Sequence, residues 1–317
     1  AGAGGGGREM SAGRPSGERD PAAAARAAGE STTAAARLPR RTLWVNGRLC
    51  RGEEAALSLF DRGARDGEGL FETLRVYGGQ PFLWERHMER LVLSAAELGF
   101  PVPPSPSLLR EAVAQVLDAD GLADAVVRLT VTRGIPGGRP TRTGAWVEAE
   151  PLAARLWAGA TAGAASAIVS KRPFEPGPLG RHKTTSRLAY HLAREEARAT
   201  RVDEALLVTR DGHTLEGAVS TLFVVVGGAV LTPPLARGIL PGITRAVALK
   251  LCAELGIAAR EADRTRADRL CAEEVVLTNS VQEVVPLATL DGRALPERSC
   301  GARLGEAYRG EVARAAG

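Results

Sequence analysis

The stretch HKTTSRLAYHLAREEARATRVDEALLVTRDGHTLEGAVSTLFVV (182–225) decides the fold, because within it a helical pattern passes into a series of strands. Its first apolar residues recur at the spacing of one helix face over 185–199. Three β-rich runs follow, and Asp211-Gly212 between the first two is typical of a tight hairpin turn. These runs predict strands over 204–209, 213–217 and 220–226.

Towards the C-terminus the mixture of strand and helix continues. A further strand over 229–232 follows the turn pair Gly227-Gly228. A loop rich in proline and glycine over 233–242 then leads into a helix over 243–255. The remaining pattern predicts two strands and a closing helix, over 273–280, 284–290 and 301–315.

Towards the N-terminus the pattern is also mixed. Asn46-Gly47 and Gly78-Gly79 are turn pairs between alternating strands. Two amphipathic helices are predicted after them, over 85–98 and 107–118. A strand over 125–134, a weak strand ending near 170 and a Pro/Gly-rich loop over 172–182 complete this half. Helices and strands alternate in both halves, which predicts an α/β (α+β) fold.

The chain length of 317 residues allows two domains. Residues 1–40 hold no aromatic side chain and cannot bury enough apolar area to offset their ordering entropy. We therefore expect four segments along the chain. They are a disordered Ala/Gly/Arg-rich tail over 1–40, a small N-terminal α/β domain over 41–168, an interdomain loop over 169–182 and a larger C-terminal domain over 183–317.

The composition excludes several classes of protein. Hydrophobic residues make up 44% and charged residues 25%, as in ordinary globular proteins. A net charge of +4 is too small for a dedicated nucleic-acid binder. The four cysteines form no CxxC pair, so we expect no metal site, and no apolar run is long enough to span a membrane. We expect a cytoplasmic protein that acts on a small molecule.

Lysine is scarce, since only Lys171, Lys183 and Lys250 stand among the 41 basic residues. Lysine offers an amine that can lose its proton and form a Schiff base, which arginine cannot do. Lys171 and Lys250 suit a solvated surface. Lys183 lies between a Pro/Gly loop and the start of a helix, where sites are often built. From its position alone, catalysis and a surface charge are both open.

Two further features have both a functional and a structural interpretation. The segment GILPGITR (238–245) leads a Pro-Gly turn into a helix, and the free amides of a helix start bind phosphate well. Taken alone, the segment favours an ordinary helix start. Glu216 lies among apolar neighbours near a strand end, so its carboxylate needs a partner. That partner is either a heterocyclic nitrogen or one of the many arginines.

Seven blocks of sequence, in family order over about 42–290, resemble the class IV, fold-type IV enzymes that use pyridoxal 5'-phosphate. This group includes 4-amino-4-deoxychorismate lyase, branched-chain aminotransferase and D-amino acid aminotransferase. The resemblance implies a two-domain fold like that of D-amino acid aminotransferase, pyridoxal 5'-phosphate as cofactor, and a homodimer. The blocks are LFDRGARDGEGLFETLRV (59–76), ERHMERLVLSAAELG (85–99), RLTVTRG (128–134), HKTTSRLAYHLAREEA (182–197), DEALLVTRDGHTLEGAVSTLFVV (203–225), GILPGITR (238–245) and EEVVLTNSVQEVVPL (273–287).

The resemblance also implies roles for the matching residues. Lys183 would form a Schiff base with the cofactor aldehyde and carry the proton, and Glu216 would pair with the pyridine nitrogen. Arg90 would bind the cofactor phosphate through its fork of donors. The remaining residues that the resemblance places around cofactor and substrate are Ile243, Thr244, Thr278, Asn279 and Ser280.

Local features within the blocks are most similar to the lyase of this group. These are FETLRV (71–76), LTNSVQEVVPL (277–287) and the loop TRGIPGGRP (132–140). Arg139 in this loop either holds a substrate carboxylate or is an exposed loop arginine, and the resemblance places Ser280 on the substrate side. The expectation is a 4-amino-4-deoxychorismate lyase that releases 4-aminobenzoate and pyruvate. The alternative is an aminotransferase that acts on branched-chain L-amino acids or on D-amino acids.

Overall fold

The structure is a computed structural model that describes residues 41–137, 143–295 and 297–316, together with Ala1, Gly2 and Gly4. The disordered tail predicted over 1–40 therefore falls, apart from those three residues, outside the described part of the chain. Arg139, predicted to bind substrate, also lies outside the described residues.

Strands and helices alternate along the described chain, as predicted. The strands are β1 Thr42–Val45, β2 Arg48–Arg51, β3 Gly69–Tyr77, β4 Gln80–Pro81, β5 Ala125–Thr132, β6 Ala145–Pro151, β7 Ala165–Pro173, β8 Glu204–Val208, β9 Thr214–Gly217, β10 Thr221–Val226, β11 Ala229–Thr232, β12 Ala259–Glu261, β13 Glu274–Asn279, β14 Glu283–Leu290 and β15 Arg293–Ala294. The helices are α1 Arg62–Arg65, α2 Trp84–Glu97, α3 Pro106–Asp120, α4 Ala158–Thr161, α5 Leu188–Ala199, α6 Ile243–Glu254, α7 Arg266–Leu270 and α8 Ser299–Ala316.

The first sheet is antiparallel, with the strand order β2-β1-β6-β5-β3-β4. Helices α2 and α3 pack on it and bury side chains such as Met88 and Val113 against Trp44 and Leu74 of the strands. Ser105 caps the start of helix α3, where its hydroxyl accepts from the Leu108 amide, and Gly121 caps the end in the left-handed conformation. Burial of these apolar faces holds the N-terminal half together.

The second sheet is mixed, with the order β12-β11-β10-β13-β14-β7-β8-β9, and β15 pairs with β14. The pairs β11–β12, β14–β7 and β7–β8 are parallel. Helices α6 and α8 cover strands β10, β13 and β14, and their apolar residues surround Phe223 and Tyr308. Helix α5 packs against β7 and β8, where it buries Tyr190 and Ala193.

Strand β7 lies across the predicted boundary between the two halves. This strand, Ala165–Pro173, belongs to the second sheet, where it lies between β14 and β8. The second sheet therefore begins before residue 168, and the loop predicted over 169–182 starts only after Pro173. Small residues such as Ala165 and Ala167 give this segment only a weak strand pattern. The strand forms because parallel pairing with strands that are distant in the sequence stabilises it.

The two sheets meet through the backbone of residues 183–185. The Phe71 amide donates to the Lys183 carbonyl at 2.9 Å, and the Thr185 amide donates to the Gly69 carbonyl at 2.8 Å. The N-terminal end of β3 is therefore bonded directly to the segment that carries Lys183. In the described part of the chain, none of the helices has the length and apolar character needed to cross a membrane.

Candidate active site

A cavity of about 530 Å³ lies between the two sheets, next to the segment that carries Lys183. It brings together all the predicted site residues that the structure describes. They are Arg90, Lys183, Glu216, Ile243, Thr244, Thr278, Asn279 and Ser280. Within residues 41–137, 143–295 and 297–316, no three His, Cys, Asp or Glu side chains are grouped so that they could hold a metal ion.

Lys183 points its amine at the cavity, with Nζ 4.6 Å from the centre of the Phe71 ring. Burial, followed by the positive charges of Arg90 and Arg187, lowers the pKa of this amine to about 7. A large fraction of the amine is therefore neutral at neutral pH, and a neutral amine can act as a nucleophile or accept a proton.

Glu216 is the penultimate residue of strand β9 and is 5% exposed. The Tyr190 hydroxyl donates to Oε1 at 3.3 Å, and the Leu240 amide donates to Oε2 at 3.4 Å. Burial raises the pKa of the carboxyl to about 7, although Arg187 and the Leu240 amide oppose this rise. Its contacts are these hydrogen bonds, and in the described structure no arginine forms an ion pair with it, so the carboxylate can receive a cationic ligand group.

The N-terminus of helix α6 opens onto the same cavity. Gly242 precedes the helix, and no side chain caps its first amides. A side chain at this position would crowd Thr221, because a Cβ atom on Gly242 would lie 2.7 Å from Thr221 Oγ1. The first amides of a helix have no acceptor within the helix itself. Ile243 and Thr244 therefore present donors suited to an anion.

The end of strand β13 supplies three predicted residues in different ways. Thr278 is 2% exposed, and its hydroxyl has no hydrogen-bond partner in the described structure. Asn279 stabilises a turn, because its Oδ1 accepts from the amides of Val281 at 2.9 Å and Gln282 at 2.7 Å. Ser280 Oγ lies 3.4 Å from His87 Nε2. Of the three, Thr278 has the polar atom that most needs a ligand.

Arg90 is held in the cavity wall by Glu72. Its Nε and Nη2 donate to the two Glu72 oxygens at 2.8 and 2.6 Å, and its Nη1 donates to the Pro241 carbonyl at 3.0 Å. His87 Nδ1 lies 2.7 Å from Glu72 Oε2. Burial by itself would raise the pKa of Glu72, but Arg90 and His87 lower it to about 2. The ion pair orients the guanidinium while leaving its charge beside the cavity.

Basic residues that the sequence analysis did not identify line another part of the cavity. They are Arg128, Arg155, Arg187, His191, Arg194 and Arg198. Arg187, which directly precedes helix α5, is followed within the helix by basic residues at 191, 194 and 198, which is the spacing of one helix face. This regular spacing is the signal that could have identified them.

Comparison with known proteins gives one family. The amino-transferase class IV family model matches residues 69–290. A putative branched-chain-amino-acid aminotransferase from Methanocaldococcus jannaschii is 32% identical over 268 residues, which cover 82% of this chain and 91% of that protein. A D-alanine aminotransferase from Bacillus licheniformis is 31% identical over 264 residues, which cover 79% and 88%.

Solved structures resemble the whole described fold. The branched-chain aminotransferase from Thermoproteus uzoniensis, solved with norvaline, has a TM-score of 0.76 at 30% identity and covers 85% of this chain and 93% of its own. A branched-chain amino acid aminotransferase from the organism abbreviated T.th., solved with pyridoxamine 5'-phosphate, has a TM-score of 0.76 at 27% identity. That match covers 87% of this chain and 95% of the other.

Proposed function

This chain belongs to the class IV aminotransferases, and we propose that it transfers an amino group between an amino acid and a 2-oxo acid at the cavity described above. The fold class predicted from the sequence is confirmed, and enzymes of this family use pyridoxal 5'-phosphate. The observation that carries the proposal is one cavity that holds both a partly neutral lysine amine and a buried carboxylate with no ion pair among the described residues.

The residues of the cavity fit this cofactor at two places. The partnerless Thr278 hydroxyl, the first amides of α6 and the Arg90 guanidinium suit a phosphate group. Lys183 suits an aldehyde and Glu216 suits a ring nitrogen. When bound, the cofactor supplies an electrophilic carbon and a ring that accepts the electron pair of a broken substrate bond.

Lys183 is the residue that we propose moves the proton. Its lowered pKa lets the amine take a proton from the substrate carbon near neutral pH and return it. The ring of Phe71 lies beside the amine and limits its contact with water. The backbone bond between Phe71 and Lys183 fixes where the side chain starts. These contacts support a positioned base rather than a mobile surface lysine.

Glu216 is the residue that we propose holds a proton on the ring nitrogen of the cofactor. A positively charged nitrogen beside it would keep the carboxylate ionised, as an opposite charge does for a buried acid. Tyr190 and the Leu240 amide orient its two oxygens. Asn279 and Ser280 would border the cofactor and the substrate from the end of β13.

The names of the relatives support two classes of amino donor. One relative is named for branched-chain amino acids and another for D-alanine. We propose that the donor is a branched-chain L-amino acid or a D-amino acid. Mixing the cofactor-loaded protein with a panel of L- and D-amino acids tests this, because a true donor converts the aldehyde form of the cofactor to its amine form, and the absorbance of the cofactor changes with it. No conversion with any donor would contradict the proposal.

A 4-amino-4-deoxychorismate lyase is the second candidate. Its substrate carries two carboxylates, and the arginines that line the cavity would suit them. None of the relatives described above is named as a lyase, so this assignment stays a prediction. Release of 4-aminobenzoate without an added oxo acid would support it over the aminotransferase, and its absence from an active transaminase would exclude it.

We also propose a homodimer. Large apolar side chains are exposed at Leu59 and Phe60, which are 82% and 68% accessible, and exposed apolar residues of this size often mark an interface. Analytical ultracentrifugation of the wild type and of Phe60→Asp tests this. A dimer that dissociates in the variant supports the proposal, and a wild-type monomer contradicts it.

A further inference from the structure

The turn between strands β13 and β14 borders the cavity and ends at a residue with an unusual backbone conformation. Asn279, Ser280, Val281 and Gln282 line the cavity. Glu283 follows them with a φ of 64°, in the left-handed region. Hairpins with three-residue loops commonly place one residue in this region, where glycine is favoured because it has no Cβ atom. A glutamate keeps this conformation only if its surroundings hold it there.

Two residues of strand β3 hold the carboxylate of Glu283. The Tyr77 hydroxyl donates to Oε1 at 2.7 Å, and Nη1 of Arg75 lies 3.0 Å from the same oxygen. The Arg75 guanidinium also lies 4.6 Å from the centre of the Tyr77 ring. The side chains of Arg75 and Glu283 are 16% and 13% exposed, so solvent screens this ion pair weakly. We call Arg75, Tyr77 and Glu283 the β3 clamp.

Arg75 also binds the backbone of the turn, because its Nη1 donates to the Val281 carbonyl at 3.0 Å. A second set of contacts reaches the turn from the segment that precedes strand β7. Gln282 Oε1 accepts from the Trp157 amide at 3.0 Å, and its Nε2 donates to the Arg155 carbonyl at 2.8 Å. The turn is therefore held from two sides, and the β3 clamp is one of them.

The donors of the β3 clamp keep their protons at neutral pH. Burial and the negative charge of Glu283 raise the pKa of the Tyr77 hydroxyl far above its ordinary value. An arginine side chain does not lose its proton in a protein. Both donors therefore stay available to the carboxylate while the enzyme works.

Strand β3 connects the turn to the segment that carries Lys183. Alternate residues of a strand point to the same face. Phe71 and Thr73 line the cavity, and Arg75 and Tyr77 follow them at the same spacing along Gly69–Tyr77. The residues of the β3 clamp do not line the cavity themselves. They can affect a ligand there only through the turn that they hold.

We propose that Glu283 is a positioning residue, through which the β3 clamp sets the turn over 279–282 against the cofactor and the substrate. The inference rests on the proposed function, because that function places Asn279 and Ser280 beside both ligands. It adds residues that touch neither ligand. Without the clamp the turn would sample other conformations, and its side chains would bind less often in the productive geometry.

Glu283→Gly tests the clamp without straining the backbone. Glycine adopts the left-handed conformation readily, so this variant loses the contacts of the carboxylate while the hairpin can still form. Amide exchange of the cofactor-loaded protein is followed by mass spectrometry on the peptide that spans 277–285. We expect this peptide to exchange about tenfold faster in the variant. The Kd for pyridoxal 5'-phosphate is expected to rise about tenfold as well.

Tyr77→Phe provides a milder change, since it removes one hydrogen bond and leaves the ring in place. It is expected to raise the Kd for the cofactor about threefold. In the active enzyme, the KM for the amino donor should rise in both variants by a larger factor than kcat falls, because binding is affected more than the chemistry at Lys183.

Glu283→Gln and Glu273→Gln form a matched pair of variants. Glu273 also holds a turn, since its carboxylate accepts from the amides of Gly227 at 2.7 Å and Gly228 at 3.2 Å, but neither glycine lines the cavity. Glu283→Gln is expected to speed exchange of the 277–285 peptide and to raise the Kd for the cofactor. Glu273→Gln is expected to change neither quantity.

Thermal unfolding of each variant separates positioning from a general loss of stability. If Glu283→Gly keeps the wild-type exchange of the 277–285 peptide, or lowers Tm without changing the Kd for the cofactor, the proposal is wrong. Equal effects of Glu283→Gln and Glu273→Gln would also overturn it. Exchange and cofactor binding need no turnover. A protein that shows both expected effects but converts no amino donor would contradict the aminotransferase function and leave the β3 clamp standing.

Discussion

The amide of Phe71 donates a hydrogen bond of 2.9 Å to the carbonyl of Lys183. The Phe71 ring also lies 4.6 Å from the amine of the same lysine. One residue of the first sheet therefore fixes both the backbone and the side chain of the central residue of the cavity. This relationship explains why the site needs both halves of the chain.

Thr278→Val is predicted to weaken cofactor binding without destabilising the cofactor-free protein. The buried hydroxyl has no partner in the described structure, so an apolar group of the same shape loses nothing there. A phosphate would lose one hydrogen bond, which is worth about 1 kcal/mol or about fivefold in Kd. Titration of the cofactor-free protein with pyridoxal 5'-phosphate and thermal unfolding measure the two effects. A lower melting temperature with unchanged Kd would contradict this role.

Glu216→Gln is predicted to lower kcat by about a hundredfold or more, because an amide cannot hold the ring nitrogen protonated. The absorbance of the bound cofactor should change together with kcat. Glu254→Gln serves as the control, since Glu254 is half-exposed on α6 and pairs with Lys250 at 3.4 Å. A variant at Glu216 that keeps wild-type kcat would show that the carboxylate has only a structural role.

Lys183 and Lys250 are predicted to differ in their reaction with acetic anhydride as the pH is raised. The neutral amine reacts, so labelling of Lys183 in the cofactor-free protein should rise through pH 7 and level off above it, since its pKa is about 7. Labelling of Lys250 should still rise above pH 10, because hydrogen bonds to Glu311 and Glu254 raise the pKa of its amine. Peptide mass spectrometry measures each site. Parallel curves for the two lysines would contradict the lowered pKa.

Deletion of residues 1–40 is predicted to leave the cofactor Kd and kcat within about twofold of their values in the full chain. A loss of about 1 kcal/mol of binding free energy would raise Kd about fivefold, so this limit means that the segment contributes less than that to the site. The family match begins at residue 69, and each cavity residue that the structure describes lies after residue 70. A large loss of either quantity would show that the predicted disordered tail has a part in the site.

The order of helices and strands was accessible from the sequence because most elements have a local pattern. Helix α2 shows this, since Met88, Leu91 and Ala95 recur on its buried face. Strand β7 was expected only as a weak strand of the N-terminal half, because its alanines carry little local signal and its parallel neighbours lie far away in the sequence. Strand β6 was not predicted for a related reason, as it is stabilised by pairing with both β5 and β1.

The site was predicted only in part for a similar reason. Lys183 and Glu216 stood out as a scarce lysine and a carboxylate among apolar residues, but each kept a structural interpretation until the resemblance to the class IV enzymes implied its role. Arg194 was missed because a single arginine on an amphipathic helix resembles a solvated charge, and only the cavity distinguishes it. The hydroxyl of Thr278 needed the structure too, since sequence does not reveal a missing hydrogen-bond partner.

The most direct test of the central claim is to locate the bond between the protein and its cofactor. The protein loaded with pyridoxal 5'-phosphate is reduced with borohydride, digested and examined by mass spectrometry. The chain has only three lysines, Lys171, Lys183 and Lys250, so the result is unambiguous. We predict a phosphopyridoxyl group on Lys183 alone. A group on Lys171 or Lys250, or none on a protein that binds the cofactor, would contradict the account of this cavity as the active site.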